Sequence, residues 1–189
     1  MLERDTLYAM ENAPSALAGW ESFYVIVGSS AAALTGLQFV VITLIADAPI
    51  PHSQREINAF GTPIVLHFAV VLLIAALLSA PWRTFSDPAA WIVLFGFLGL
   101  IYAGISYRRV RKQSLRPGAY QPVLEDLIWY QLAPALGYLG LFGAGVALYR
   151  AHPGALRAIA GVSLFLLLVA IRNAWDTVTY IAEVRSKPD

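Results

Sequence analysis

Apolar and polar residues fall in long blocks along this chain, without the short periods of half-buried elements. From Ser22 to Ala46, between Glu21 and Asp47, 25 residues pass without a charge. A helix needs about 20 apolar residues to cross ~30 Å of hydrocarbon, so this block predicts a first transmembrane span. A second uncharged block runs from Ile57 to Trp82 and contains Pro63 and His67, with Pro81 expected to close it. A third, Pro88 to Tyr107, follows Ser86-Asp87, which reads as an N-cap with proline in the first turn. A fourth runs from Leu127 to Tyr149. The last apolar segment starts at Pro153 and reaches about Glu183, but its uncharged core, Ala158 to Ile171, has only 14 residues. Tryptophan placement decides that case. All five tryptophans (Trp20, Trp82, Trp91, Trp129, Trp175) stand at the ends of apolar blocks, as an aromatic belt requires. The pattern therefore predicts an all-α membrane bundle, built as one domain, with spans at about 21–46, 57–81, 89–107, 126–149 and 154–181.

The connections are polar and rich in proline. Residues 1–19 are an acidic leader (Glu3, Asp5, Glu11), expected to form a short surface helix broken near Pro14. A signal peptide wants a basic start and a short apolar core, so the first block is expected to stay as a span. Pro49 and Pro51 make the next loop, and Arg108 to Arg116 is the basic cluster that follows the third block.

Small residues mark faces within the blocks. Gly28, Ala32 and Gly36 recur at every fourth position, with Ser29 beside them, and predict a seam on which another helix packs closely. Gly137, Gly140, Gly143 and Gly145 enrich the fourth block, where Gly140 and Ala144 give a second seam.

Composition sharpens this picture. Hydrophobic residues make up 58% and charged residues 13%, against roughly a quarter charged in soluble domains. Cysteine is absent, which removes disulfides, thiolate metal sites and cysteine nucleophiles together. The net charge of +1 gives no pull toward nucleic acid. With five spans, eight basic residues (Arg55, Arg108, Arg109, Arg111, Lys112, Arg116, Arg185, Lys187) fall on one side and four (Arg4, Arg83, Arg150, Arg157) on the other. The positive-inside rule then puts the N-terminus outside and the C-terminus in the cytoplasm.

In that topology the polar residues crowd the cytoplasmic half. They are Gln38, Thr43 and Asp47 of span one, His67 near the midplane, and Asn58 and Thr62 closer in. Tyr102, Ser106, Tyr130 and Gln131 follow, then Arg172, Asn173, Asp176, Thr177, Thr179 and Tyr180. Gln38, Asp47, His67, Gln131, Arg172, Asn173 and Asp176 are the expected lining of a polar vestibule. Arg172 stands about a turn inside the interface and needs a carboxylate, with Asp176, Asp47 and Glu125 in reach. It reads either as a structural ion pair or as part of a working site. His67 reads as a hydrogen-bonded core histidine or as a proton relay. Pro63 and Pro134 free the carbonyls of Ala59 and Tyr130, which suits a packing kink or a wet cavity.

Three scattered histidines predict no metal site, and no cofactor motif occurs. GxSxG, P-loop and HExxH motifs are missing, so no catalytic residues are assigned. The stretch Phe23 to Leu44, FYVIVGSSAAALTGLQFVVITL, resembles the first span of a loose group of small bacterial membrane proteins, in which G-S-x-A-A-x-L-T-G-L is followed by F-V-x-I. The resemblance covers about one span and implies a bacterial inner-membrane location without implying an activity. The sequence thus predicts a homo-oligomeric channel, transporter or binding protein for a small ion or polar solute. The competing reading is a non-catalytic subunit whose seams dock a larger membrane complex.

Overall fold

A computed structural model of the protein describes residues 13–46, 54–114 and 123–186. Every element among them is helical: α1 (Ala13–Ala18), α2 (Glu21–Ala46), α3 (Gln54–Leu78), α4 (Ser86–Ser114), α5 (Leu124–Leu127), a π-helical turn (Ile128–Leu132), α6 (Ala133–Tyr149) and α7 (Ala155–Ser186). Four described stretches are long and apolar enough to cross a membrane: Glu21–Thr43, Ser86–Lys112, Leu124–Tyr149 and Ala155–Thr179. The described apolar part of α3, Thr62–Leu78, is shorter. Four helices of this length and apolarity are what a multi-pass membrane protein carries. The outward faces agree, because Leu37, Phe39, Leu98, Leu139 and Leu168 are all more than half exposed. A soluble surface does not carry apolar residues so densely.

The long helices pack in the order α2, α3, α7, α6, α4, with light contact between α2 and α7 and between α3 and α4. Neighbours run antiparallel, and glycine sets their separation. A Cβ at Gly28 would stand 2.8 Å from the Ala75 Cβ, joining α2 to α3. One at Gly96 would stand 2.5 Å from the backbone nitrogen of Phe142, and one at Gly145 2.9 Å from that of Val93, locking α4 to α6. One at Gly137 would meet Leu166 at 2.4 Å, between α6 and α7. Without a hydrophobic force between helices in lipid, such close approach is what holds them. Phe68, Val71, Ile74, Tyr138, Leu141, Ile159 and Leu166 fill the core and are wholly buried.

Several boundaries differ from expectation. Among the described residues α1 starts at Ala13, with Pro14 in its first turn, where proline's missing N–H costs nothing, and buries Ala13 and Leu17; the leader before it, on which the expected break at Pro14 depends, lies outside the described residues. α3 ends at Leu78, before Pro81, and the Trp82 indole donates to the Leu77 carbonyl at 2.6 Å, capping the helix end. α4 continues seven residues past Tyr107, so Arg108, Arg109, Arg111 and Lys112 lie on a helix and not in a loop. Cations there complement the negative end of the helix dipole.

The first seam is also displaced. α2 buries Tyr24, Val27, Gly28, Ala31 and Gln38, whereas Ala32 and Gly36 are exposed and nothing lies within 4 Å of a Cβ built on Gly36. Residues four apart drift by about 40° per step around a helix, while a contact stripe follows spacings of three and four in turn. Gly28 belongs to that stripe, and the next two small residues have rotated off it.

Candidate functional site

The polar side chains gather where α4 and α7 finish and α5 begins. Their arrangement starts from Pro134. In the π turn the Ala133 N–H reaches back to the Ile128 carbonyl, five residues away. The next donor in that register would be residue 134, serving the Trp129 carbonyl, but proline has no N–H. The vacancy therefore falls on Trp129, one residue before Tyr130, where an uninterrupted α-helix would have put it. Asn173 of α7 fills it, its Nδ2 donating to the Trp129 carbonyl at 3.2 Å.

That bond fixes the asparagine. A carbonyl only accepts, so Nδ2 must face Trp129 and Oδ1 must point away. Asn173 is fully buried, and its Oδ1 has no hydrogen-bond partner. Its backbone carbonyl accepts from Thr177 Oγ1 at 2.9 Å and Tyr130 Oη at 3.4 Å. Gln131, two residues along the π turn from Trp129, faces α4 instead, its Nε2 donating to Ser106 Oγ at 3.4 Å. Gln131 Oε1 is buried and unpartnered as well. An acceptor left this way costs roughly 1–3 kcal/mol.

Arg172 bonds to Glu125 of α5 and to Asp176 one turn along its own helix. Its guanidinium carbon lies 5.5 Å from the centre of the Trp129 ring. The trio is open to the surroundings, with side chains 26%, 65% and 39% exposed for Arg172, Glu125 and Asp176, so each pair contributes at most about 1 kcal/mol. One positive and two negative charges leave it net negative.

Deeper in the bundle His67 of α3 and Tyr138 of α6 meet, Nδ1 to Oη at 2.8 Å, both almost fully buried. The Tyr138 ring lies against Gly99 of α4, so this one tyrosine touches two helices besides its own. Gln38 is buried on α2, which touches α7 only lightly, and is not gathered with Arg172. Asp47 lies outside the described residues. The two described acids of the three in reach, Asp176 and Glu125, both lie on Arg172. Among the described residues, no group of three or more His, Cys, Asp or Glu could hold a metal ion.

Two participants escaped the sequence reading. Tyr138 sits mid-block and looks like belt or core, and nothing local names His67 as its partner. Trp129 was read as a belt residue, yet its ring faces Arg172 and its carbonyl holds Asn173. Pro134 was the available signal, but its consequence depends on helix register. The chain matches no known family model, no curated protein and no solved structure.

Proposed function

We propose that this protein binds, and passes, a small ion or polar solute through the polar end of its bundle, with α3 as a fifth span. In this reading it lies in a bacterial inner membrane with the polar end and C-terminus cytoplasmic, as the eight-to-four distribution of basic residues favours. The observation that carries the reading is Asn173, wholly buried with an unspent amide oxygen, with the equally unspent Gln131 amide oxygen at the same end of the bundle. Buried polar groups in lipid are expensive to leave unmatched, and within a span they mark solute pathways by default. The order of groups supports it further: exposed carboxylates at the mouth, amides a turn deeper, then His67 and Tyr138 at the inner limit.

The test is flux. Protein in liposomes is offered potassium, sodium, ammonium, chloride, protons and small neutral polyols in turn, beside Asn173→Leu. Passage of one class that the variant abolishes is the expected result. No passage of any of them, with a second protein purifying in fixed ratio, would replace this reading with that of an accessory subunit.

A further inference from the structure

At the end of the molecule opposite the polar cluster, α6 and α7 leave an open groove of about 600 Å³. Gly140, Gly143 and Ala147 line it from α6, Ala158 and Gly161 from α7, and His152 stands at its mouth. The groove exists because side chains are missing. A Cβ at Gly143 or Gly161 would meet nothing within 4 Å, so neither glycine is there to let these helices touch. Its wall is otherwise apolar, and it lies where one candidate span ends, at Tyr149, and the next begins, at Ala155.

The mouth is cationic. Arg150 and Arg157 bracket the turn that carries His152, both are exposed, and among the described residues neither side chain has a hydrogen-bond or ion-pair partner. The turn is rigid. The Ala151 N–H bonds to the Leu148 carbonyl at 2.8 Å and the His152 N–H to the Ala147 carbonyl at 2.9 Å, the two bonds of a Schellman motif. His152 Nδ1 accepts from the Gly154 N–H at 3.2 Å, which puts the proton of the neutral ring on Nε2 as an outward donor.

An apolar trough with an imidazole N–H at its mouth, and beside it two exposed arginines that have no partner among the described residues, matches one molecule abundant in a bilayer. We propose that the groove holds an acyl chain of an anionic phospholipid whose phosphate rests on Arg150, His152 and Arg157. Guanidinium recognises phosphate through paired charge-assisted bonds, so the headgroup contributes selectivity and the trough contributes fit. Charge also argues against a second copy of this chain as occupant. A two-fold axis along the membrane normal would set Arg150 and Arg157 against their own equivalents. This assignment is independent of any solute pathway at the other end.

Native mass spectrometry of the detergent-purified protein tests it, with phosphatidylglycerol and phosphatidylcholine as probes. The wild type should retain phosphatidylglycerol preferentially. Arg150→Gln/Arg157→Gln should weaken it at least about tenfold, and more than phosphatidylcholine. Gly143→Leu and Gly161→Leu put side chains into the trough from positions where a Cβ meets nothing within 4 Å, so they should lose both lipids while melting at the wild-type temperature. Unchanged lipid retention in the filled variants would overturn the proposal. So would equal binding of inorganic phosphate, which needs no trough, or a change from dimer to monomer in Gly143→Leu with lipid unaffected.

Discussion

At the scale of single residues, two positions invite measurement. Ala151 has φ of 52°, in the left-handed region, at the position of the Schellman turn where glycine is usual. An L-residue pays about 1–2 kcal/mol there, and glycine returns part of that through its freer unfolded chain. Ala151→Gly should therefore stabilise the protein by about 0.5–1 kcal/mol, read as a higher melting temperature in detergent; a lower one would mean that the turn relaxes in the membrane. His67 and Tyr138 form the other case. Each satisfies the other in a site with no access to the surroundings. His67→Leu strands the tyrosine hydroxyl and Tyr138→Phe strands the ring nitrogen, at about 1–3 kcal/mol each. The double variant should cost less than the sum by about 1 kcal/mol, since once one partner is gone the second removal strands nothing new. Strict additivity in a thermal-denaturation cycle would show that the bond contributes nothing to the fold.

At the scale of elements, glycines divide into those that touch and those that do not. A Cβ on Gly99 would come within 2.0 Å of the Tyr138 ring, and that ring cannot move without breaking its bond to His67. Gly99→Ala should cost about 1–3 kcal/mol, as overpacking does. Gly28→Leu should cost at least as much against Ala75 of α3, whereas Gly36→Leu should stay within about 0.5 kcal/mol, because its side chain enters lipid. Equal loss in Gly28→Leu and Gly36→Leu would mean that another helix covers the outer face of α2. The same contrast shows what could be read beforehand. The helices were legible because a 25-residue block without charge has few other fates. The seam was legible in kind but not in phase: small residues announce close packing, and the face they use depends on which neighbour lies there. Arg172 was legible because a cation inside a span needs acids, and few acids are near. Tyr138 was not, since the pair spans 71 positions of sequence and only the packing of α3 and α6 on α7 brings it together. The π turn needed both Pro134 and a neighbouring asparagine, and a local pattern carries only the first.

At the scale of the whole molecule, the open question is how the bundle threads the bilayer, and α3 decides it. Its 25 residues make a helix of about 37 Å, enough for the ~30 Å hydrocarbon core. Its described contacts reach from one end of the bundle to its middle: Ala75 lies against Gly28 near the start of α2, and His67 meets Tyr138 in the middle. A helix so placed, with Phe68, Val71 and Ile74 wholly buried, cannot lie flat on a membrane surface without exposing that row. If α3 crosses, the connections on either side of it are on opposite sides of the membrane. Cysteine is absent from the chain, so single introduced cysteines report without background. Thr84→Cys, between α3 and α4, should then react with an impermeant maleimide added to intact cells. Ser53→Cys, just before α3, and Ser114→Cys, at the end of α4, should react only after the membrane is opened. Labelling of Ser53 together with Thr84 from outside would remove α3 from the spans. Labelling of Ser53 and Ser114, with Thr84 protected, would keep five spans and invert them, and the polar end that gathers Arg172, Asn173 and Gln131 would then face away from the cytoplasm.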